Sequence, residues 1–232
     1  MRLVSLGVLL VLASAAFAGV SGTTVVNFTI QNNTTVTAND LHVTVAGAPS
    51  VTASSPFTAT PSGSTVDFDG GSVAVGDSAT FTLAETGDNF FNNPEIFSYF
   101  WTVDGSQVGD QEEPIGFYFS PAFPLQTASL DNQDPSASHA YDNLFVTQNG
   151  TSVLAASTSG TIPVGNSISV TNPMDMTVGP LDFGFTDTTS GVTVAGTFTP
   201  TPAVPEPTTM GFCALMLLGT FVTVRRRQLR KQ

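Results

Sequence analysis

Positive charge is almost missing from the body of this 232-residue chain. Its six basic residues are Arg2, Arg225, Arg226, Arg227, Arg230 and Lys231, all at the two ends. All eighteen acidic residues lie between Gly19 and Pro207, so that stretch carries a formal −18 against −12 for the whole chain. It has no cations to neutralise phosphates, which excludes nucleic acid as a partner. It also has no lysine or arginine to clamp a phosphate or an oxyanion. Its carboxylates must be solvated, hydrogen-bonded or held by bound cations, and their mutual repulsion favours solubility.

Cysteine is nearly absent too. Cys213 is the only one and lies in an apolar C-terminal run, so no disulfide framework holds the rest and no thiol nucleophile is available there. Histidine occurs twice, as His42 and His139, with no HExxH pattern and no ligand-spaced pair. No GxSxG elbow and no glycine-rich phosphate loop occurs. These absences make a non-enzymatic protein the expectation. A two-carboxylate hydrolase needs only a pair of acids, and Glu95, Glu112 and Glu113 are the loop glutamates to consider for it. Solvated loop charge is the expected state of all three.

What the chain does have is strand chemistry. Phe, with 18 copies, dominates the aromatics, and Gly and Pro are frequent. Val26, Phe28 and Ile30 alternate with polar residues, as do Leu41, Val43 and Val45, and Val192, Val194 and Phe198. Phe97, Tyr99, Trp101 and Val103 would line one strand face. Asp69-Gly70, Gly76-Asp77, Asp104-Gly105, Asn149-Gly150 and Gly165-Asn166 punctuate the pattern as turns. No amphipathic helix is evident. About a dozen short strands predict an all-β fold, an antiparallel β-sandwich. Residues 85–94, 105–114 and 131–139 read as long loops.

An internal echo links Val73-Ala74-Val75-Gly76-Asp77-Ser78 with Ile162-Pro163-Val164-Gly165-Asn166-Ser167. A second links Asp40–Thr44 with Asn143–Thr147. The separations differ, so this is no regular repeat. It marks either two related sandwich halves or two similar hairpins.

Acidic turns offer oxygen ligands for calcium, at Asp67 and Asp69, at Asp104 and Asp110, and at Asp131 and Asp134, though none has EF-hand spacing. Sugar stacking would need exposed aromatics. Tyr99 and Trp101 at strand spacing read as core, Tyr118 is a further candidate, and Tyr141 reads as the exposed one. Thr193, Ala195, Thr197 and Thr199 form one threonine row, and a single row is not an array.

The two ends carry targeting patterns. Arg2, an apolar run and Ala16-Phe17-Ala18 form a signal peptide, with signal peptidase and the general export machinery as partners and cleavage expected before Gly19. Residues 19–199 would then be the acidic β-sandwich domain and 200–207 a stiff proline-rich spacer. Residues 208–224, an uncharged run at the low end of what spans a membrane, are expected to form one transmembrane helix, with 225–232 a basic cytoplasmic tail.

Val204-Pro205-Glu206-Pro207, the short apolar run and Arg225-Arg226-Arg227 together resemble the PEP-CTERM sorting signal of bacterial exported proteins. The resemblance covers about residues 204–232. It implies recognition of Pro205, Glu206 and Pro207 by an exosortase-type membrane protease, with Arg225, Arg226 and Arg227 as the cytoplasmic stop. It also implies removal of the tail, delivery to the cell surface or extracellular matrix, and association with secreted polysaccharide. A structural or adhesive role is the expectation. A carbohydrate- or calcium-binding lectin-like module is the alternative, and a secreted hydrolase the second.

Overall fold

The computed structural model describes residues 22–47, 49–87, 95–119 and 126–201. The expected signal peptide, apolar run and basic tail lie outside them, as does the expected spacer from residue 202 onward, while its first residue, Pro200, closes the last strand. Sixteen strands and no helix occur among the described residues. They are β1 (Gly22–Gln31), β2 (Asp40–Val45), β3 (Ser50–Ser55), β4 (Thr58–Ser62), β5 (Thr65–Asp69), β6 (Ser78–Gly87), β7 (Ile96–Val103) and β8 (Ser106–Glu112). The second half holds β9 (Gly116–Phe119), β10 (Ala128–Asp131), β11 (His139–Gln148), β12 (Thr151–Ser152), β13 (Gly160–Ile162), β14 (Ser167–Ser169), β15 (Leu181–Asp187) and β16 (Val192–Pro200).

Every named pairing is antiparallel. One large sheet runs β12-β11-β15-β16-β1-β6-β3, with β13 also on β11. A five-stranded sheet runs β4-β5-β2-β7-β8, and a three-stranded one β14-β10-β9. The two smaller sheets pack on the inner face of the large one. Phe68 of β5 meets Phe81 of β6 at 4.6 Å between ring centroids. Phe117 of β9 stacks on Phe183 of β15 at 4.3 Å and 4°. The alternating residues of β1, β2 and β16 named above are all buried in this core. The sandwich-like, antiparallel, all-β character expected from the period-2 pattern is what forms.

Three departures have a physical cause. Residues 106–112, expected within a loop, form β8, and the strands β3 and β4 carry no sequence signal either. All three are exposed along most of their length, so neither face has to be apolar. In β7 the register shifts against both neighbours, at Thr44/Val45 and between Tyr99 and Trp101. That irregularity buries Ile96 and leaves Phe97 41% exposed, so the expected face breaks at its first residue. His139 and Tyr141 belong to a strand and are buried; neither is a loop residue.

The echo is structural. Asn32 and Asn132 each follow an inner strand and are fully buried. The Asn32 amide donates to the carbonyls of Val36 and Val73, both at 2.9 Å, and its Oδ1 accepts the Thr34 N–H at 3.0 Å. The Asn132 amide donates to Ala137 at 2.9 Å and Ile162 at 3.0 Å, and its Oδ1 accepts the Asp134 N–H at 3.1 Å. Backbone N–H groups of the two asparagines reach Asp77 and Asn166 in the two echoed turns. Gln31 pairs with Ser78 as Asp131 pairs with Ser167. Ala38 bridges Val73 as His139 bridges Ile162. One corner is therefore built twice, and at the position of Ala38 the second copy carries a histidine.

Candidate functional site

His139 opens β11 just below its corner, with no solvent exposure. Its Nδ1 lies 2.7 Å from Asp187 Oδ2, at the end of β15. Its Nε2 lies 3.1 Å from Asp134 Oδ2, in the corner loop. Carboxylates only accept, so both ring nitrogens donate and the ring is a buried imidazolium. Burial opposes the charge, but hydrogen bonds and charges from Asp187 and Asp134 outweigh it and hold the pKa up at about 9.

The two acids are secured in turn. Asp134 Oδ1 accepts the Ser136 N–H and hydroxyl, both at 2.6 Å, and the Ala137 N–H at 3.1 Å. Burial raises its pKa, but these bonds and His139 together outweigh it and pull it down to about 2. Asp187 Oδ2 accepts the Ser190 hydroxyl at 2.7 Å and the Ile115 N–H at 3.0 Å, and Oδ1 the N–H groups of Thr189 and Ser190. Burial pushes Asp187 up, but His139, Ser190 and Ile115 leave it below the usual range.

Ser, His and Asp meet here without forming a nucleophilic triad. The serine hydroxyl is on the aspartate, the imidazole has no lone pair to act as base, and Ser190 is fully buried. The centre joins β11, the β15–β16 turn and the segment before β9. Among the described residues, which include no lysine or arginine, it is a buried cation held between two carboxylates. Glu112 lies near it, and burial together with Asp110, Asp134 and Asp187 raises its pKa against the pull of His139.

Glu95 forms the second polar cluster. It is 7% exposed, so the expectation of a solvated glutamate is corrected. Burial first, with the Asp131 charge, raises its pKa to about 8 despite a hydrogen bond from Tyr118. Its carboxyl lies against Gly116, where a Cβ would come within 1.7 Å of Oε1. Tyr118 also receives a hydrogen bond from Gln133. Glu95 borders a cavity of about 20 Å³ at the junction of the three sheets, with Val26, Phe28, Phe117, Phe183 and Val194 among its lining. That is room for about one water. It is too small for a sugar.

The other sequence candidates are spread out. Asp67 takes His42 Nδ1 at 2.6 Å, and His42 stacks on Phe100. Asp69 is exposed two residues further along β5. Asp104 accepts the Asn39 amide at 2.9 Å. Asp131 ends β10, with burial raising its pKa, and Asp134 is committed to its loop and His139. Among the described residues, no group of three or more His, Cys, Asp or Glu is placed to hold a metal ion.

Tyr99 and Trp101 are core, as expected, while Tyr141 is only 5% exposed, correcting its reading as a surface aromatic. Its hydroxyl lies over Gly160, a neighbour with no Cβ to make the strand look apolar. The Asn32 and Asn132 corners and the ion centre were missed because asparagine and aspartate in a loop resemble ordinary turn formers. Ala16, Ala18, Gly19, Pro205, Glu206, Pro207 and Arg225, Arg226 and Arg227 lie outside the described residues. Among those described, no helix is long and apolar enough to cross a membrane.

No protein-family model matches the chain, and no curated protein matches it.

Proposed function

We propose that this is an exported, non-enzymatic surface or matrix protein, sorted by its C-terminal tail and associated with secreted polysaccharide. The observation that carries the reading is the order Pro205-Glu206-Pro207, uncharged 208–224, Arg225-Arg226-Arg227, behind an N-terminal signal peptide pattern. Two prolines around a glutamate keep the chain extended where a membrane protease would grip it. The arginines hold the far end of the apolar run in the cytoplasm. Removal of the tail then releases a domain whose charges are nearly all negative. A structural or adhesive role fits a His139 locked between Asp134 and Asp187 and a cavity beside Glu95 with room for about one water.

Intact-mass measurement tests this reading. Released protein should begin at Gly19 and lack every residue from the apolar run onward. Trypsin is a convenient aid, because the stretch 19–207 has no lysine or arginine to cleave. Peptides spanning 208–224, recovered from the extracellular form, would refute the sorting.

A further inference from the structure

Alternation along β16, β1 and β6 buries one set of side chains and turns the other set outward. Their pairing aligns the outward residues in rows across the strands. Thr199, Thr23 and Thr86 form one row, Thr197, Val25 and Ala84 the next, then Ala195, Asn27 and Thr82, then Thr193, Thr29 and Thr80. Eight of these twelve residues are threonine and none is charged. The rows continue onto β15 as Asp182, Gly184 and Thr186. The single threonine row visible in the sequence is thus joined by others.

Hydroxyls are coupled across the strands. Thr23 and Thr86 lie 3.0 Å apart, Thr186 and Thr193 3.2 Å, and Thr197 donates to Asp182 at 2.7 Å. The Asn27 side-chain Oδ1 accepts the Thr82 hydroxyl at 2.6 Å.

Phe145 of β11 pairs with Gly184 in the same row as Ala195, Asn27 and Thr82. A Cβ on Gly184 would meet its ring at 2.6 Å, so the ring lies against the sheet with 43% of the residue exposed. Running inward from the ring, the row offers small Ala195 and then the Asn27 amide, with the threonine row of Thr193, Thr29 and Thr80 on one side and Thr197 and the exposed Val25 on the other. The spacing between strands is about 4.8 Å, comparable with the length of one pyranose unit.

We propose that this face binds a neutral polysaccharide lying across the strands, with one sugar stacked on Phe145 and its neighbours hydrogen-bonded by Asn27 and the flanking threonines. Ring faces bind the C–H side of sugars, and hydroxyls and amides both donate and accept as sugars require. Charge selects the occupant. The remaining surface bears most of the carboxylates and repels polyanions, while the twelve outward positions of β16, β1 and β6 carry no charge to desolvate and the one acid beside Gly184, Asp182, already accepts the Thr197 hydroxyl. The proposal rests on the reading of the protein as polysaccharide-associated and names the surface and ligand class.

Affinity electrophoresis of the secreted protein tests it, in gels containing a soluble β-glucan or, separately, alginate. The β-glucan should retard the protein, and high salt should not abolish the effect. Phe145→Ala and Thr29→Glu should each weaken retardation at least fivefold, while Phe97→Ala, at an exposed ring of the five-stranded sheet, should not. Circular dichroism confirms that each variant is folded. Absence of retardation by the neutral glucan would overturn the proposal. So would equal retardation by alginate, loss through Phe97→Ala, or inhibition of ice growth without glucan binding. The tail's fate is read separately by mass, so an uncut tail with glucan binding sinks only the sorting, and a cut tail without binding sinks only this face.

Discussion

Glu95 and Gly116 are a matched pair, since the carboxyl occupies the space a side chain at 116 would need. The acid is buried beside the interior cavity, so its neutral form is the one the fold favours. A raised folded pKa means that the stabilisation is complete below the ordinary value near 4.5 and is lost as pH rises through about 8. Glu95→Gln keeps the shape and removes the ionisation. The variant should melt close to wild type at pH 4.5 and several degrees above it at pH 8, in thermal scans at both values. An unchanged pH slope would count against a buried, titrating Glu95.

His139 poses the opposite problem, because the fold needs its charged form. His139→Ala leaves Asp187 buried without its cation and should cost about 3–5 kcal/mol. Reversible denaturant unfolding at pH 6 measures it, and a loss below 1 kcal/mol would mean the aspartates are satisfied without the ring.

At the scale of elements, the twice-built corner stitches an inner strand to the strand and turn that follow. Each fully buried asparagine side chain serves two carbonyls and one N–H across the corner. Asn32→Ala and Asn132→Ala should each cost about 2–3 kcal/mol. For a domain of this size, that is a Tm fall of roughly 4–12 °C. The corners share no hydrogen-bond partner, so the double variant should lose close to the sum. A calorimetric double-mutant cycle checks this, and strong coupling would mean the two halves melt through each other.

The same scale explains what was legible. β1, β2 and β16 announce themselves because one face of each is buried along most of its length. β3, β4 and β8 have no face to hide, and their sequences look like loops. The doubled turn was visible in Val73–Ser78 and Ile162–Ser167. The asparagines that lock it were not, since the carbonyl each one ties to its own loop lies 30 or 41 residues away in the chain. His139 and Tyr141 were misplaced for a related reason. A histidine after a proline-containing loop reads as surface until the acids that surround it come together from residues 134 and 187.

For the whole molecule, the perturbed groups favour the same acidic window. Glu95, Glu112 and His139 all have raised pKa values, so each binds protons more tightly folded than unfolded. Their contributions fade as pH rises, Glu95 between about 4.5 and 8 and His139 between about 6.5 and 9. Asp134 and Asp187 are lowered, and their contributions are lost only as pH falls below 3.8, for Asp134 toward 2. The unpaired surface carboxylates add repulsion that grows as they ionise, with no lysine or arginine in the stretch 19–207 to offset it. Stability should therefore peak near pH 4–5 and decline steadily to pH 9, where many proteins hold a plateau from about pH 5 to 8. Salt separates the two causes. Molar sodium chloride screens the exposed carboxylates and should raise Tm at pH 8, but it reaches the interior far less. The slope that survives in salt is the interior one, and Glu95→Gln should lessen it, leaving the share of Glu112 and His139. A Tm that is level from pH 5 to 8 at low salt would show that neither the interior acids nor the one-signed surface sets the stability of this domain.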